Sequence, residues 1–242
     1  GTTAYVDQSR TSASQSLMVY NIKMVFGTIC IASREGIFAI LQDHDTTLRL
    51  KPFAIGVRNT TDLTQETDST VLVAVSNMLY RYNIKSNKAE YLNKIPDRIQ
   101  SIISLPSKTI WLATRTNGMY YYDTQLNTIS HYTVGNSKYN LQDNNIYTVI
   151  QAKNTNIIWI GTKNGLTKLE NRQGNIRYFD LNQYSDAKSA NLFMIKYDRQ
   201  DNFWIWSTDG LYRKNSNQNK FEKIKPSSTY SNNDTILHAI ET

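Results

Sequence analysis

Three segments of the chain spell nearly the same pattern. Ile110-Trp111-Leu112-Ala113-Thr114 leads to Asn117-Gly118, Ile158-Trp159-Ile160-Gly161-Thr162 to Asn164-Gly165, and Phe203-Trp204-Ile205-Trp206-Ser207 to Asp209-Gly210. Successive tryptophans at 111, 159 and 204 stand 48 and 45 residues apart, a period long enough for four short strands per copy. Two fainter copies precede them: Cys30-Ile31-Ala32-Ser33 runs to Gly36-Ile37-Phe38, and Leu72-Val73-Ala74-Val75 to Asn77-Met78-Leu79-Tyr80. A fixed internal period restricts a chain to stacked or radial repeats of one supersecondary unit, here five copies of one module.

The fourth copy shows what the unit is. Ile146 to Gln151 is an apolar run, a polar turn follows at Lys153 to Asn156, and Ile157 to Thr162 is a second run. Asn164-Gly165 then reads as the centre of a two-residue hairpin turn, because a type I′ turn needs positive φ at both central positions. Leu166 to Leu169, a further polar turn and Ile176 to Phe179 complete a four-stranded antiparallel meander. First strands recur at Ile99, Ile146, Leu192 and Ile236, the last opening a sixth module just before Thr242. Strands one and two are almost continuously apolar, so both sheet faces must be covered by neighbouring sheets. Meanders stacked face to face around an axis make an all-β β-propeller. The expected blades are 14–51, 52–95, 96–136, 137–182 and 183–226, with 227–242 starting a sixth, as part of a larger propeller.

In that frame Trp111, Trp159 and Trp204 fill the wedge between blades, and Cys30 takes the same place as a small buried hydrophobe. Trp206 stands where the other copies carry Ala32, Ala74, Ala113 and Gly161, and so faces either a wider gap or a surface. Met78 takes the place of the hairpin glycine, so the turn of the second blade should change type or length.

The formal net charge is +7, but Lys and Arg are scattered rather than gathered into an arm or stripe, which argues against a nucleic-acid partner. A basic surface can still receive an acidic ligand. One cysteine rules out an internal disulfide framework. No run of 18 apolar residues occurs, so direct membrane insertion is not expected.

The string Ile-Trp-Ile-Gly-Thr-Lys-Asn-Gly-Leu at 158–166, preceded by Asn-Asn-Ile-Tyr-Thr-Val-Ile and followed by Tyr-Phe-Asp, resembles the two-component regulator propeller repeat. Residues 110–120 and 203–212 resemble it less closely. The resemblance implies a periplasmic sensor region of a bacterial hybrid two-component histidine kinase. Its expected partners are an oligosaccharide ligand, the rest of the receptor ectodomain and a second copy in a homodimer. Two other readings stay open: a glycan-active propeller enzyme, and a protein-interaction propeller using Trp206 and Tyr120 to Tyr122.

Catalytic patterns are not evident. His44, His131 and His238 fall in different modules without Cys or acidic residues at metal-ligand spacing, so neither a metal nor a cofactor is expected. No nucleophile elbow, phosphate loop or dinucleotide fingerprint occurs. The expected ligand face is where the second hairpin turn and the lead into each first strand converge. It carries Arg34, Arg115, Lys163, Asn145 and Asn191, whose donors suit sugar hydroxyls and uronic carboxylates.

Overall fold

The computed structural model describes residues 17–42, 48–54, 57–135, 141, 143–152, 155, 157–170, 176–179, 191–215 and 221–224. It is an all-β β-propeller fold of five antiparallel four-stranded blades, each ordered as the chain runs. Blade 1 is β1 (Val19–Val25), β2 (Thr28–Ser33), β3 (Ile37–Gln42) and β4 (Leu48–Ala54); blade 2 is β5 (Thr60–Gln65), β6 (Thr70–Val75), β7 (Met78–Asn83) and β8 (Lys88–Lys94). Blade 3 is β9 (Ile99–Leu105), β10 (Thr109–Thr114), β11 (Met119–Asp123) and β12 (Thr128–Tyr132); blade 4 is β13 (Ile146–Gln151), β14 (Ile157–Thr162), β15 (Gly165–Glu170) and β16 (Ile176–Phe179). Blade 5 is β17 (Leu192–Tyr197), β18 (Phe203–Ser207), β19 (Gly210–Lys214) and β20 (Glu222–Lys223). The first strands start at Ile99, Ile146 and Leu192 as the repeat requires, whereas the sixth module and Ile236 lie outside the described residues. The chain forms two compact units, Gly1–Tyr132 with blades 1 to 3 and Thr133–Thr242 with blades 4 and 5.

Within each unit, the second strand of one blade packs on the first strand of the next: β2 on β5, β6 on β9, and β14 on β17. Between blades 1 and 2 the core holds Val25, Cys30, Leu63, Val71 and Val73; between blades 2 and 3 it holds Leu72, Leu79, Ile99, Ile102 and Leu112. In the second unit Trp159, Leu192, Ile195, Phe203 and Ile205 form the core. This layering explains the small residues at 32, 74 and 161. A Cβ on Gly161 would stand 2.7 Å from Thr148 Cγ2 and 3.3 Å from the Leu192 carbonyl oxygen of the next blade.

Cys30 is fully buried as expected, and burial pushes its thiol up to about 11, leaving it protonated and inert. Trp111 and Trp159 are buried, Trp159 donating through Nε1 to Tyr197 Oη at 3.0 Å. Trp204 departs from the expectation. It is only half-buried, donating to Asp198 Oδ2 at 2.8 Å. Trp206 beside it is half-buried too. Both belong to blade 5, the last of the described blades, where no following first strand covers β18 among the described residues. Tyr120 and Tyr122 are buried in the blade 2 and 3 core, and Tyr121 is half-buried against Trp111, so Tyr120 to Tyr122 do not form an exposed patch.

The second hairpin is built differently from the sequence expectation. Asn164 and Asp209 are not at positive φ; Lys163-Asn164 and Thr208-Asp209 make the turns, and Gly165 and Gly210 close them opposite Thr162 and Ser207. Those glycines hold φ values of 125° and 130°, as Gly36 does at 142°, a region that L side chains rarely adopt. A hydroxyl clasps each turn from inside. Ser33, Thr114, Thr162 and Ser207 donate to the carbonyls of Gly36, Gly118, Gly165 and Gly210 at 2.9, 2.7, 3.0 and 3.0 Å, and each accepts a turn N–H. In blade 2 Val75 replaces the hydroxyl and Met78 the glycine, and the turn does change: positive φ moves to Ser76, leaving Met78 an ordinary strand residue paired with Val75.

Two threonines of blade 4 make opposite predictions. Thr162→Val removes a buried clasp and should cost about 1–2 kcal/mol. Thr167 buries a hydroxyl with no hydrogen-bond partner, so Thr167→Val should be neutral or stabilise by up to about 1 kcal/mol. Urea midpoints at unchanged m-value measure both; shifts of the same sign would refute the assignment.

Candidate functional site

One backbone hydrogen bond recurs at the same end of each blade carrying the pattern. The first residue of the second hairpin turn donates its N–H to the carbonyl of the residue leading into that blade's first strand: Arg34 to Met18 (3.0 Å), Ser76 to Asn59 (3.1 Å), Arg115 to Arg98 (3.0 Å), Lys163 to Asn145 (3.0 Å) and Thr208 to Asn191 (3.1 Å). In the first unit the bonds join into a ladder across blades, because Asn59 N–H donates to the Arg34 carbonyl at 2.8 Å and Ile99 N–H to the Ser76 carbonyl at 2.8 Å. Immediately inside the ladder every first strand carries a bulge. The register skips one residue between Val19 and Asn21, Thr60 and Asp62, Ile99 and Ser101, Ile146 and Thr148, and Leu192 and Met194. The unpaired residues are Tyr20, Thr61, Gln100, Tyr147 and Phe193. A bulge re-aims its side chain away from the ladder of strand pairs, a device common beside binding sites.

All five residues expected from the sequence lie on this clamp. Arg34, Arg115 and Lys163 are exposed first residues of their turns, and Asn145 and Asn191 are half-buried at the lead into their first strands. Lys163 and Asn145 are joined directly, but Asn145 Nδ2 is already committed to Asp143 Oδ1 at 2.8 Å. Asn191 receives the Thr208 N–H and gives its own N–H to Thr208 Oγ1 at 3.2 Å. Asn145 thus spends its amide on building the turn, whereas Asn191 makes these bonds with its backbone. Arg34 and Arg115 stand on blades 1 and 3, tied through the ladder rather than to each other.

Sequence reasoning missed two residues of the first unit. Arg98 precedes Ile99 just as Asn145 precedes Ile146, and Tyr20 is the second residue of its strand like Tyr147 and Phe193; the aligned first strands held that signal. The Arg98 guanidinium lies 4.4 Å above the exposed Tyr20 ring. Asp97 organises the turn from below, accepting the N–H of Arg98 and the N–H and hydroxyl of Thr116 at 2.6, 2.6 and 3.0 Å. Burial pushes the Asp97 carboxyl up, but these hydrogen bonds outweigh it and hold it below the ordinary carboxylate range. In the second unit, Tyr147 and Phe193 meet edge to face with ring centroids 5.7 Å apart.

Beneath the first unit's clamp sits a buried charge. Asp62 has no exposure; its Oδ1 accepts from Asn21 Nδ2 (2.9 Å) and the Leu63 N–H (2.8 Å), and its Oδ2 from Lys23 Nζ (2.6 Å) and the Ile102 N–H (2.7 Å). Lys23 Nζ also donates to the Ile102 carbonyl at 3.0 Å, so one ion pair pins the first strands of blades 1, 2 and 3. Complete burial pushes the Asp62 carboxyl up, opposed by the Lys23 charge and by the donors around it.

Among the described residues no group of three or more His, Cys, Asp or Glu could hold a metal ion. His131 stacks on Tyr120 at 4.2 Å with its Nε2 2.6 Å from the Asn117 carbonyl oxygen of the blade 3 turn, and His44 and His238 are outside the described residues.

No protein-family model and no curated protein matches the sequence. Solved structures do share the fold. The extracellular domain of BT4673 from B. thetaiotaomicron, described as a hybrid two component system, aligns with a TM-score of 0.65 at 19% identity over 88% of this chain and 28% of its own. That of BT3049 from the same organism, described likewise, gives 0.62 at 18% over 85% and 29%. Virginiamycin B lyase from Staphylococcus aureus gives 0.61 at 16% over 89% and 72%. The chain thus spans less than a third of the two extracellular domains.

The Asp62 cluster predicts strong coupling. Asp62→Leu alone strands a partly buried ammonium and Lys23→Met alone strands a buried carboxylate; each should cost roughly 3 kcal/mol or more, while the double variant recovers most of the loss. A double-mutant cycle by urea denaturation measures this, and additive losses would contradict it.

Proposed function

We propose that this chain is the ligand-sensing portion of an extracytoplasmic, two-component-type receptor, that it works in the periplasm, and that its ligand is an oligosaccharide. The observation that carries the reading is the clamp itself. Each unit places exposed turn residues and a bulged first-strand side chain, aromatic in three blades of five, at one end of its blades. Aromatic faces and multidentate donors are what sugar rings and hydroxyls require. The likeness to extracellular domains described as hybrid two component systems supports the receptor context.

In such a receptor the propeller does no chemistry. Ligand bound at the clamp favours one arrangement of the ectodomain, and that differential affinity biases the signalling domains, with the rest of the ectodomain and a second copy as partners. A glycan-active enzyme is the second reading; the likeness to a lyase whose chain is matched over 72% of its length supports an enzyme on this fold and says nothing of glycans.

Calorimetric titration of the purified chain with oligosaccharides from polysaccharide digests, followed by mass analysis of the recovered sugar, separates the readings. The receptor reading predicts saturable binding of one saccharide class with its mass unchanged. Shortened or unsaturated products would establish the enzyme, and no binding by any saccharide would overturn the sensing role.

A further inference from the structure

Among the described residues, three arginines crowd the clamp of the first unit without a carboxylate partner: Arg34, Arg98 and Arg115. The acids nearest to them are engaged otherwise. Asp97 receives the Arg98 and Thr116 N–H groups and the Thr116 hydroxyl, Glu35 receives the Met18 N–H at 3.2 Å, and every acceptor direction of Asp62 is filled. Arg98 differs from the other two in being held. Its guanidinium stacks on Tyr20, its N–H is fixed by Asp97 and its carbonyl by Arg115, yet its Nε is shut away from solvent with no hydrogen-bond acceptor. A shielded guanidinium N–H without an acceptor is costly in a folded protein and leaves the Arg98 fork with an unmet demand for an acceptor.

The chemistry of that acceptor follows from the fork. A guanidinium presents parallel N–H donors that match a planar carboxylate, and stacking on an aromatic ring fixes its plane before the ligand arrives, reducing the ordering cost of binding. The Arg34 N–H bonds to the carbonyl of Met18, two residues before Tyr20, and the Arg115 N–H to the carbonyl of Arg98 itself, so both arginines add positive potential near the stack. We propose that Arg98, held on Tyr20, receives the carboxylate of an acidic sugar, so that the saccharide sensed is uronic rather than neutral. This rests on the ligand-sensing reading above and narrows it to a charge and a residue.

The test titrates the purified chain with galacturonate, glucuronate and mannuronate oligomers and with the carboxyl-reduced neutral counterpart of each. At least one acidic oligomer should bind at least about tenfold more tightly than its neutral counterpart. Arg98→Met and Arg98→Lys should both lose most of that preference, the lysine because it keeps the charge but not the fork or the stack. Tyr20→Leu should weaken the acid a few-fold. Thermal midpoints report whether each variant is folded. Equal binding of acid and neutral forms, or unchanged acid binding by folded Arg98→Met, would overturn the proposal and leave saccharide sensing standing. No binding by any acidic or neutral oligomer would overturn both.

Discussion

The backbone bond between each second hairpin turn and the lead into its own first strand is the constraint from which the rest follows. It fixes where the first strand starts relative to the turn, and the strand then reaches its ordinary register only by skipping one residue. The bulge recurs in all five blades, at Tyr20, Thr61, Gln100, Tyr147 and Phe193, despite their unlike side chains. A feature that survives such variation is set by backbone geometry, and the side chain it displays is left free to differ. In the first unit the same bonds run on from blade to blade, so the turn bearing Arg34 and the turn bearing Arg115 share one hydrogen-bonded frame.

The hydroxyl clasp and the small residue on the second strand serve that frame from two sides. Ser33, Thr114, Thr162 and Ser207 shape the turn that donates, and Ala32, Ala74 and Gly161 allow the next first strand to lie close, as the 3.3 Å from a Gly161 Cβ to the Leu192 carbonyl oxygen shows. Blade 2 has lost the hydroxyl and the glycine together, and it keeps the clamp by shifting positive φ to Ser76. The Asp62–Lys23 pair adds a polar tie between the first strands of blades 1, 2 and 3 where the other contacts are apolar.

The repeat was legible because its period and its apolar runs are properties of sequence, and both strand order and strand starts follow from them. The turn departs from the Asn-Gly type I′ reading because an internal hydroxyl clasps the glycine carbonyl, from a Ser or Thr three residues earlier in blades 1, 4 and 5 and four earlier in blade 3. Trp204 is only half-buried because no first strand covers β18 among the described residues, whereas Trp111 is buried against Tyr121 and Tyr132 of its own blade and Trp159 against blade 5. That Arg34, Arg115 and Lys163 open turns and Asn145 and Asn191 lead into first strands is legible because turn and strand start are local. Arg98 stacked on Tyr20 joins blades 3 and 1, a contact across most of a unit that no local spacing encodes. Asp62 was hidden for the same reason, since its partners Lys23 and Ile102 lie 39 and 40 residues away.

The clamp can be examined directly by residue-resolved amide hydrogen exchange on the unliganded chain. The N–H groups of Arg34, Ser76, Arg115, Lys163 and Thr208 belong to exposed residues, so simple turns would leave them among the fastest to exchange. If the clamp positions this end of the blades, these five amides exchange slowly, with protection like that of the strands they join, while a turn amide outside the clamp such as Asn77 exchanges faster. Exchange at the rate of unprotected turns at these five positions would contradict the account.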